Sequence, residues 1–482
     1  MQATDKFWPI ELVDGTLVSV EPDLGNLSTY VLVEQEDWLE KEIVLVRRLL
    51  QPAMCAIDIG ANIGIYTLVM ARLVGPDGHV VAIEPQDGPR QHLQRALDLN
   101  GLANVEILGV AISDRSGTGR METGPDSETA SLKSDGGAAI GAADEVALMT
   151  LDRLVESMRT PPDFIKIDAE GAERSILAGG KDCLARHQPI VMVEVKARFA
   201  INTELLGDLQ NLGFGLYRAL PNGIGLVPYA LDEPLDDYEL NIFACPPRRA
   251  AELEQRGLLA TEKPEWHADR GVDAPNLVAW LRCRPYSSGF PAVCSALPTS
   301  EGYGEALAAY CAWSSAERPL AWRYAALRFA FNRMIELVQA VPTLPRLMTL
   351  MRVAAEAGQR KVVVALAKPI LEQIDKSGSQ IDEPFLPPHP RYDNLAPHGD
   401  LTAWLIAALG EQYERARMYS SKYGVLWPGV INACVSGYAS TEMFRRVALR
   451  GIVDATEKSV DVRLLDPAPD HRNYLLWRRI IG

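Results

Sequence analysis

The most constraining feature of this 482-residue chain is an apolar run that passes through a glycine-rich turn into an amphipathic segment. The run covers residues 57–67 (IDIGANIGIYT), and a second apolar run, residues 80–84 (VVAIE), ends on a carboxylate. This order predicts a buried strand, a tight turn that opens a helix, and a second buried strand. An acidic residue at the position of Glu84 can accept hydrogen bonds from ribose hydroxyls. The sequence therefore predicts a mononucleotide-type βαβ unit.

The glycine spacing separates two classes of ligand. A dinucleotide site needs G-x-G-x-x-G, whose middle glycine admits a pyrophosphate, but here Asn62 stands between Gly60 and Gly64. The D-x-G-x-x-x-G pattern that begins at Asp58 resembles that of S-adenosylmethionine (SAM) methyltransferases. Unpaired N–H groups at the helix N-terminus would bind the anionic end of this ligand, and Asp58 would suit its ammonium and sulfonium. In the alternative interpretation the glycines serve only helix–strand packing, and Glu84 is a solvated strand end.

Further segments carry a resemblance to one family. They are MTLDRL (149–154), PDFIKIDAEGAE (162–173), GG (179–180) and VMVEV (191–195). Together with DIGANIGIYT and AIEP, they closely resemble the FkbM-type methyltransferases over roughly residues 28–200. The resemblance implies a Rossmann-like class I methyltransferase fold and methylation of hydroxyl oxygens, commonly those of sugars or polyketides.

Composition limits the partners and the compartment. The net charge of −15 argues against nucleic acid and against an anionic membrane surface, because both need a basic protein surface. The seven cysteines are scattered without C-x-x-C spacing, which indicates a reducing compartment rather than a disulfide framework or a zinc site. The N-terminus has no signal-like segment, and no apolar run approaches ~18 residues. We therefore expect a cytoplasmic protein without membrane insertion.

Three regions are predicted along the chain. Residues 1–50 form a lead-in, with strands at 16–20 and 29–34 and helical spacing at 38–50. Residues 51–246 form an α/β domain, because strands alternating with helices indicate a mainly parallel sheet, here of seven strands. The predicted strands are 53–59, 79–84, 104–112, 162–168, 189–195, 214–219 and 240–245.

Residues 113–146, inside the α/β domain, and the third region, residues 247–482, differ in composition from the rest of the chain. Residues 113–146 are polar and glycine-rich, which favours a lid or an acceptor-binding loop over a disordered surface insertion. Residues 247–482 contain recurrent amphipathic runs, which predict an all-α domain, either a tetratricopeptide-like solenoid or an irregular helical domain. This helical domain would position a large acceptor, form a homodimer or bind a protein partner.

Charged residues near strand ends are the candidates for catalysis. Asp168 ends the fourth strand and Glu194 lies near the end of the fifth, so both belong to the edge of the sheet where ligands bind. Lys166 shares a face with Asp168, and Glu170 follows closely. Asp168 or Glu170 is the first choice of general base for hydroxyl deprotonation, and Lys166, with a depressed pKa, is the second. In the alternative interpretation Lys166 pairs with Asp168 to hold the strand end, and Glu173 is solvated.

The family resemblance also implies the donor contacts. Backbone groups of Gly60, Ala61 and Asn62, in the turn that Gly64 completes, would take the methionine end of SAM. Glu84 would take the ribose, and the adenine would lie against Val110-Ala111.

A metal-dependent variant stays open but is not favoured. Asp168, Glu170 and Glu194 could hold Mg²⁺ through oxygen ligands. Related sugar O-methyltransferases of this fold use a divalent ion, but the adjacent Asp-Asn that usually supplies the ligands is missing here.

Three functions remain open from the sequence. The first is SAM-dependent O-methylation of a sugar hydroxyl in a glycan or a secondary metabolite. The second is an interaction scaffold built on a vestigial methyltransferase fold, and the third is methylation of a polyketide or a protein.

Overall fold

A computed structural model describes most of the chain, which divides into two compact units, Met1–Thr261 and Glu262–Gly482. The described residues are 6–122, 131–132, 143–169, 171–197, 200–263, 265–266, 274–298, 300–378, 380–454, 461–466 and 472–481. The sequence-based boundary after residue 246 differs from this division, because the helix Pro247–Gln255 falls in the first unit.

The first unit contains both strands and helices. Its strands are β1 Trp8–Glu11, β2 Leu17–Val20, β3 Cys55–Ile59, β4 His79–Ile83, β5 Val105–Leu108, β6 Ala111–Ile112, β7 Gly117–Glu122, β8 Ser131–Leu132, β9 Ala143–Met149, β10 Phe164–Ile167, β11 Ile190–Glu194, β12 Lys196–Ala197, β13 Ala200–Ile201, β14 Gly215–Ala219, β15 Leu226–Pro228 and β16 Asn241–Cys245. Its helices are α1 Leu27–Gln35, α2 Glu42–Leu49, α3 Ile65–Val74, α4 Asp87–Asn100, α5 Leu151–Ser157, α6 Glu173–Ala178, α7 Lys181–His187, α8 Thr203–Asn211 and α9 Pro247–Gln255.

The main sheet has the strand order β15-β14-β16-β11-β10-β3-β4-β5. Strands β11, β10, β3, β4 and β5 are parallel, whereas β16 pairs antiparallel with both β11 and β14. The sheet is therefore mixed and has eight strands, where the sequence predicted a mainly parallel sheet of seven. The additional strand is β15, a short edge strand antiparallel to β14.

The central parallel strands are buried on both faces, as parallel sheets covered by helices require. Ile57, Val81, Ile165 and Val191 all belong to one apolar core. The chain runs from β3 outward through β4 to β5, and then returns to β10 on the other side of β3. The strand order thus reverses between β3 and β10, and the crevice outside their carboxyl ends is a topological switch point where ligands bind.

The predicted third strand, 104–112, is divided in the structure. The chain leaves the main sheet at Gly109, where an added Cβ would lie 2.9 Å from the guanidinium carbon of Arg90. Strand β6 then joins a second sheet of order β6-β9-β7-β8. The described part of the glycine-rich stretch 113–146 therefore includes paired strands. Residues 123–130 and 133–142 lie outside the described residues, and the lid role remains a prediction.

One prediction in the lead-in was wrong. Strands β1 and β2 form the antiparallel hairpin, but residues 29–34 belong to helix α1. Asn26 caps this helix, since its side chain accepts a hydrogen bond from the Thr29 N–H at 3.1 Å. Most of α1 is buried, so its apolar residues do not show the one-sided spacing of a surface helix.

All the regular secondary structure described in the second unit is helical. Its α-helices are α10 Ala274–Arg282, α11 Glu301–Trp313, α12 Leu320–Ala340, α13 Leu344–Glu356, α14 Arg360–Ser377, α15 Leu401–Arg417, α16 Pro428–Val435, α17 Thr441–Val453 and α18 Tyr474–Ile481. Short 3-10 helices connect them at Pro285–Gly289, Val293–Ser295, Pro390–Asn394, Ser421–Tyr423 and Val462–Leu465.

Consecutive helices of this unit pack against each other from α11 to α16. Their lengths range from 21 residues in α12 to 8 in α16, so a tetratricopeptide-type repeat remains a prediction. None of the helices described in either unit is long and apolar enough to span a membrane.

Candidate functional site

The turn between β3 and α3 needs glycine at two positions. Gly60 has a φ of +81° and Gly64 a φ of +90°, a region that side chains with a Cβ rarely adopt. A Cβ on Gly60 would lie 1.7 Å from the carbonyl oxygen of Asp168, and one on Gly64 would lie 2.2 Å from Leu93 Cδ1. The first glycine thus brings the turn against the end of β10, and the second packs α3 against α4.

The N–H groups of this turn are already engaged within the protein. The donor–acceptor pairs are Gly60 N to Ile83 O at 3.0 Å, Ala61 N to Ile83 O at 3.0 Å, Asn62 N to Glu84 Oε2 at 2.9 Å, Ile63 N to Asn62 Oδ1 at 2.7 Å and Gly64 N to Ala61 O at 2.9 Å. The expectation of unpaired N–H groups was therefore wrong for Gly60 through Gly64. The first three donors hold the turn against the end of β4, and the other two bond within the turn, so none of the five is available to an anionic group.

Glu84 follows β4 directly and lies beside the turn. Its carboxylate accepts hydrogen bonds from the N–H groups of Asn62 at 2.9 Å and Gln86 at 2.8 Å. Burial raises the pKa of Glu84 despite these bonds. An ionised carboxylate has about four acceptor positions, so it can still accept from two ligand hydroxyls. This arrangement fits the ribose role proposed for Glu84 and differs from a solvated strand end.

Asp58 lies within β3 and is fully buried. Its Oδ2 accepts a hydrogen bond from Thr67 Oγ1 of α3 at 2.5 Å, and its Oδ1 lies 3.9 Å from Lys166 Nζ. Oδ1 has no hydrogen-bond partner among the described residues. Burial raises the pKa of Asp58 although Lys166 opposes the shift. The carboxylate thus joins β3 to α3 beneath the turn.

Lys166 and Asp168 form the ion pair that the alternative interpretation described. Lys166 Nζ lies 2.8 Å from Asp168 Oδ2 and 4.9 Å from the ring centroid of Tyr66. Burial lowers the pKa of Lys166, but the carboxylates of Asp168, Asp58 and Glu40 outweigh this effect, and the net pKa is raised. A lysine with a raised pKa keeps its proton, so Lys166 does not meet the condition on which it was chosen as a base.

Asp168 remains ionised in this surrounding. Burial raises its pKa, but the Lys166 ammonium and hydrogen bonds with Lys166 and Glu194 lower it by more. The structure therefore brings Lys166, Asp168 and Glu194 together at the carboxyl ends of β10 and β11. Glu170 lies outside the described residues.

Glu173 is not solvated as the alternative interpretation described. Its side chain is buried, and Oε1 accepts hydrogen bonds from Ala169 N at 3.2 Å and Gly171 N at 2.9 Å. Glu173 therefore fixes the backbone on both sides of position 170.

The sequence analysis missed Glu40, which precedes α2. Its Oε2 accepts hydrogen bonds from Tyr66 Oη at 2.9 Å and Asn241 Nδ2 at 3.1 Å, and its Oε1 accepts from Trp38 Nε1 at 3.1 Å. Burial and the nearby Asp168 raise the pKa of Glu40, while Lys166 lowers it. No local signal marks Glu40, because it stands among other acidic residues and only the fold brings it beside Tyr66 and Asn241.

The predicted adenine contacts follow β5. Val110 packs against the main core, whereas Ala111 belongs to a small apolar cluster of the second sheet. Arg90 packs against Gly109 and donates a hydrogen bond to the carbonyl oxygen of Glu84 at 2.8 Å. The segment before Val110 is thus connected to the end of β4.

A metal site does not emerge from the described part of the chain. No group of three His, Cys, Asp or Glu side chains there is arranged to hold a metal ion. The Mg²⁺ variant also invoked Glu170, whose placement is not described.

The switch point, the glycine turn and the acidic residue after β4 define a Rossmann-like domain of the methyltransferase class. Residues 58–215 match the model of the methyltransferase FkbM domain. This match confirms the resemblance found in the sequence for residues 58–215, which are called the FkbM domain below.

Solved structures provide distant similarities. The FkbM methyltransferase from Methylobacillus flagellatus KT is 20% identical, with a TM-score of 0.27, and the alignment covers 41% of this chain and 44% of that protein. A SAM-dependent O-methyltransferase from Thermotoga maritima is 17% identical, with a TM-score of 0.27, over 50% of this chain and 77% of that one. The aligned part thus spans less than half the length of the Methylobacillus protein. No curated protein matches the chain.

Proposed function

We propose that this protein is a SAM-dependent O-methyltransferase whose acceptor is a hydroxyl on a sugar of a glycan or a secondary metabolite. The observation that carries the proposal is the meeting of Glu84, Asp168 and the Gly60 turn around the switch point, within the FkbM domain. Ligand and reaction centre share this edge in open α/β sheets.

The donor would lie along the turn and the end of β4. Glu84 accepts the ribose hydroxyls through its remaining acceptor positions. The backbone of Gly60, Ala61 and Asn62 shapes the wall beside the methionine end, and Val110 and Ala111 border the adenine. The bound donor supplies an electrophilic methyl group on its sulfonium.

The acceptor hydroxyl would meet Asp168 at the end of β10. Lys166 keeps Asp168 ionised, so this carboxylate can accept a hydrogen bond from the hydroxyl and orient it, and it would receive the proton as the methyl group transfers, although the lowered pKa makes it a weak base. Glu194 and Glu170 are the further candidates for orienting the acceptor. Much of the rate enhancement in such a displacement comes from holding the reacting atoms in line.

Calorimetric titration of SAM tests the donor site directly. Glu84→Gln should weaken SAM binding at least about tenfold, because it removes a charged acceptor from the ribose hydroxyls. Glu106→Gln, on an exposed carboxylate of β5, should leave the affinity unchanged. The proposal fails if the unmodified protein binds no SAM.

The acceptor needs a separate experiment. Mass spectrometry of glycans and small metabolites from a strain lacking the gene should show a species short of one methyl group. Re-expression of the unmodified gene should restore that methyl group, which would identify the acceptor class. Re-expression of the Asp168→Asn variant should not restore it, which would support a role for Asp168 in the reaction.

The same proposal places the enzyme in the cytoplasm and gives the helical unit a role in holding a large acceptor or in forming a dimer. The scattered cysteines support the location, because they indicate a reducing compartment. The amphipathic runs of the helical unit support its proposed role, and the net negative charge disfavours nucleic acid as a partner.

A further inference from the structure

Three carboxylates surround the single ammonium group of Lys166. The carboxylates of Asp168, Asp58 and Glu40 all act on this one ammonium group. Lys166 Nζ is 2.8 Å from Asp168 and 3.9 Å from Asp58. Glu40 is joined to the group through Tyr66, whose hydroxyl bonds Glu40 and whose ring lies over Lys166.

A second observation concerns a buried carboxylate oxygen of this group. Oδ1 of the fully buried Asp58 has no hydrogen-bond partner in the described part of the chain, and Lys166 is 3.9 Å away from it. A buried charged oxygen without a hydrogen bond is costly. Burial is the main cause that raises the pKa of both Asp58 and Glu40, while Asp168 adds to the shift and Lys166 opposes it.

We propose that Glu40, Asp58 and Asp168 form an electrostatic subsite for the positive charge of the methyl donor, with Glu40 as a member from outside the FkbM domain. This inference rests on the proposed function and specifies how the site would recognise its donor. Glu40 precedes residues 58–215 and Asn241, which holds it, follows them. The subsite would therefore extend beyond the matched domain on both sides.

The charged or titratable groups that face Glu40 come from several elements. They are Glu42 of α2, Tyr66 of α3, Lys166 of β10 and Asp168 after β10. The other contacts of Glu40 are neutral, from Trp38 and from Asn241 of β16. A cation that enters this surrounding lowers the pKa of the carboxylates, and by linkage protons compete with the cation. Donor affinity should therefore fall as the pH is lowered.

The test compares SAM with S-adenosylhomocysteine, which lacks the methyl group and the sulfonium charge. Glu40→Gln should weaken SAM binding by about tenfold, as expected for one unit charge several ångströms away in a protein interior. The affinity for S-adenosylhomocysteine should change by less than about threefold. Asp37→Asn is the matched control, because Asp37 lies in the same segment and pairs with Arg47 at 2.7 Å. It should leave both affinities unchanged.

A measurement on the unmodified protein keeps the test independent of how the variant folds. Titration calorimetry in buffers of different ionisation enthalpy should detect proton release when SAM binds and none when S-adenosylhomocysteine binds. The proposed subsite would be refuted if Glu40→Gln weakened the affinities for both ligands equally, or if both ligands released the same number of protons on binding. Failure of the unmodified protein to bind either ligand would instead refute the proposed function.

Discussion

At the scale of single residues, Gly60 shows how backbone conformation and site construction coincide. Its positive φ sharpens the turn after β3, and its missing side chain lets Asp168 approach. The sequence predicted this glycine, because a strand–turn–helix pattern requires one. Only the fold showed that the backbone of Asp168 lies next to this glycine.

Gly60→Ala should therefore destabilise the protein by more than the backbone strain of a positive φ alone. We expect a loss of about 3 kcal/mol or more in the free energy of unfolding, since positive φ and a backbone clash combine. Gly101→Ala is the control, because Gly101 has a left-handed helical conformation, with a φ of 63° and a ψ of 33°, and open space where a Cβ would stand. It should lose only about 1 kcal/mol. Equal losses in urea-induced unfolding would contradict the close approach to Asp168.

Glu42 should make stability depend on pH. Burial and the nearby Glu40 raise its pKa from 4.5 to about 8. Between these two values the folded state holds a proton that the unfolded chain has lost. Stability should therefore be greatest at acidic pH and fall as the pH rises through this window, by roughly 1.4 kcal/mol per unit for this group.

Thermal unfolding of Glu42→Gln between pH 5 and 9 checks this sign. A glutamine has no proton to lose, so the decline with pH should become shallower and the variant should be the more stable protein at pH 9. Glu106→Gln, on an exposed residue, should retain the full slope. An unchanged slope in Glu42→Gln would refute the assignment.

At the scale of elements, burial decides where sequence patterns succeed. The central strands were predicted because parallel strands covered on both faces consist of continuous apolar runs. The strand predicted at 29–34 was wrong because α1 is buried nearly all round and lacks the one-sided spacing of a surface helix. The Asn26 cap was the local signal that could have corrected this prediction.

Helix α13 should depend on one buried arginine in the second unit. Arg352 pairs with Glu356 at 2.6 Å and with Asp393 of the 3-10 helix Pro390–Asn394 at 2.8 Å. Arg352→Met would leave buried carboxylates without their partner, which costs about 3–5 kcal/mol. Denaturant unfolding of the full chain should show this loss in its helical signal.

Arg333→Met provides the comparison for Arg352→Met. Arg333 pairs with Glu305 and Glu336, but all three side chains are over a third exposed, and exposed pairs contribute at most about 1 kcal/mol. Similar losses in the two variants would show that the Arg352 pairs are no stronger than surface ion pairs.

At the scale of the whole molecule, the candidate site belongs to one unit. Glu40, the Gly60 turn, Glu84, Asp168 and Asn241 all lie within Met1–Thr261. Glu40 and Asn241 lie on the two sides of the matched range 58–215, so the candidate site includes residues outside that range. The roles proposed for the helical unit, in holding the acceptor or in forming a dimer, therefore do not involve the donor-site residues named here.

A fragment of residues 1–261 should bind SAM with an affinity within about twofold of the full chain, since a compact unit with its own core can fold alone. Calorimetry on both proteins, with circular dichroism to verify folding, measures this directly. A folded fragment with much weaker binding would show that the helical unit contributes to the donor site.

From local patterns alone, the sequence predicted the βαβ unit and the resemblance to the FkbM family, and it singled out Asp58, Gly60, Glu84 and Asp168, because buried strands and glycine turns leave such patterns. Only the tertiary structure decided which charges meet. It paired Lys166 with Asp168 and brought Glu40 to Tyr66 and Asn241. It also bonded the N–H groups of Gly60, Ala61 and Asn62 to the end of β4. Electrostatic partners depend on distances in space, and residues some two hundred positions apart have no shared local pattern.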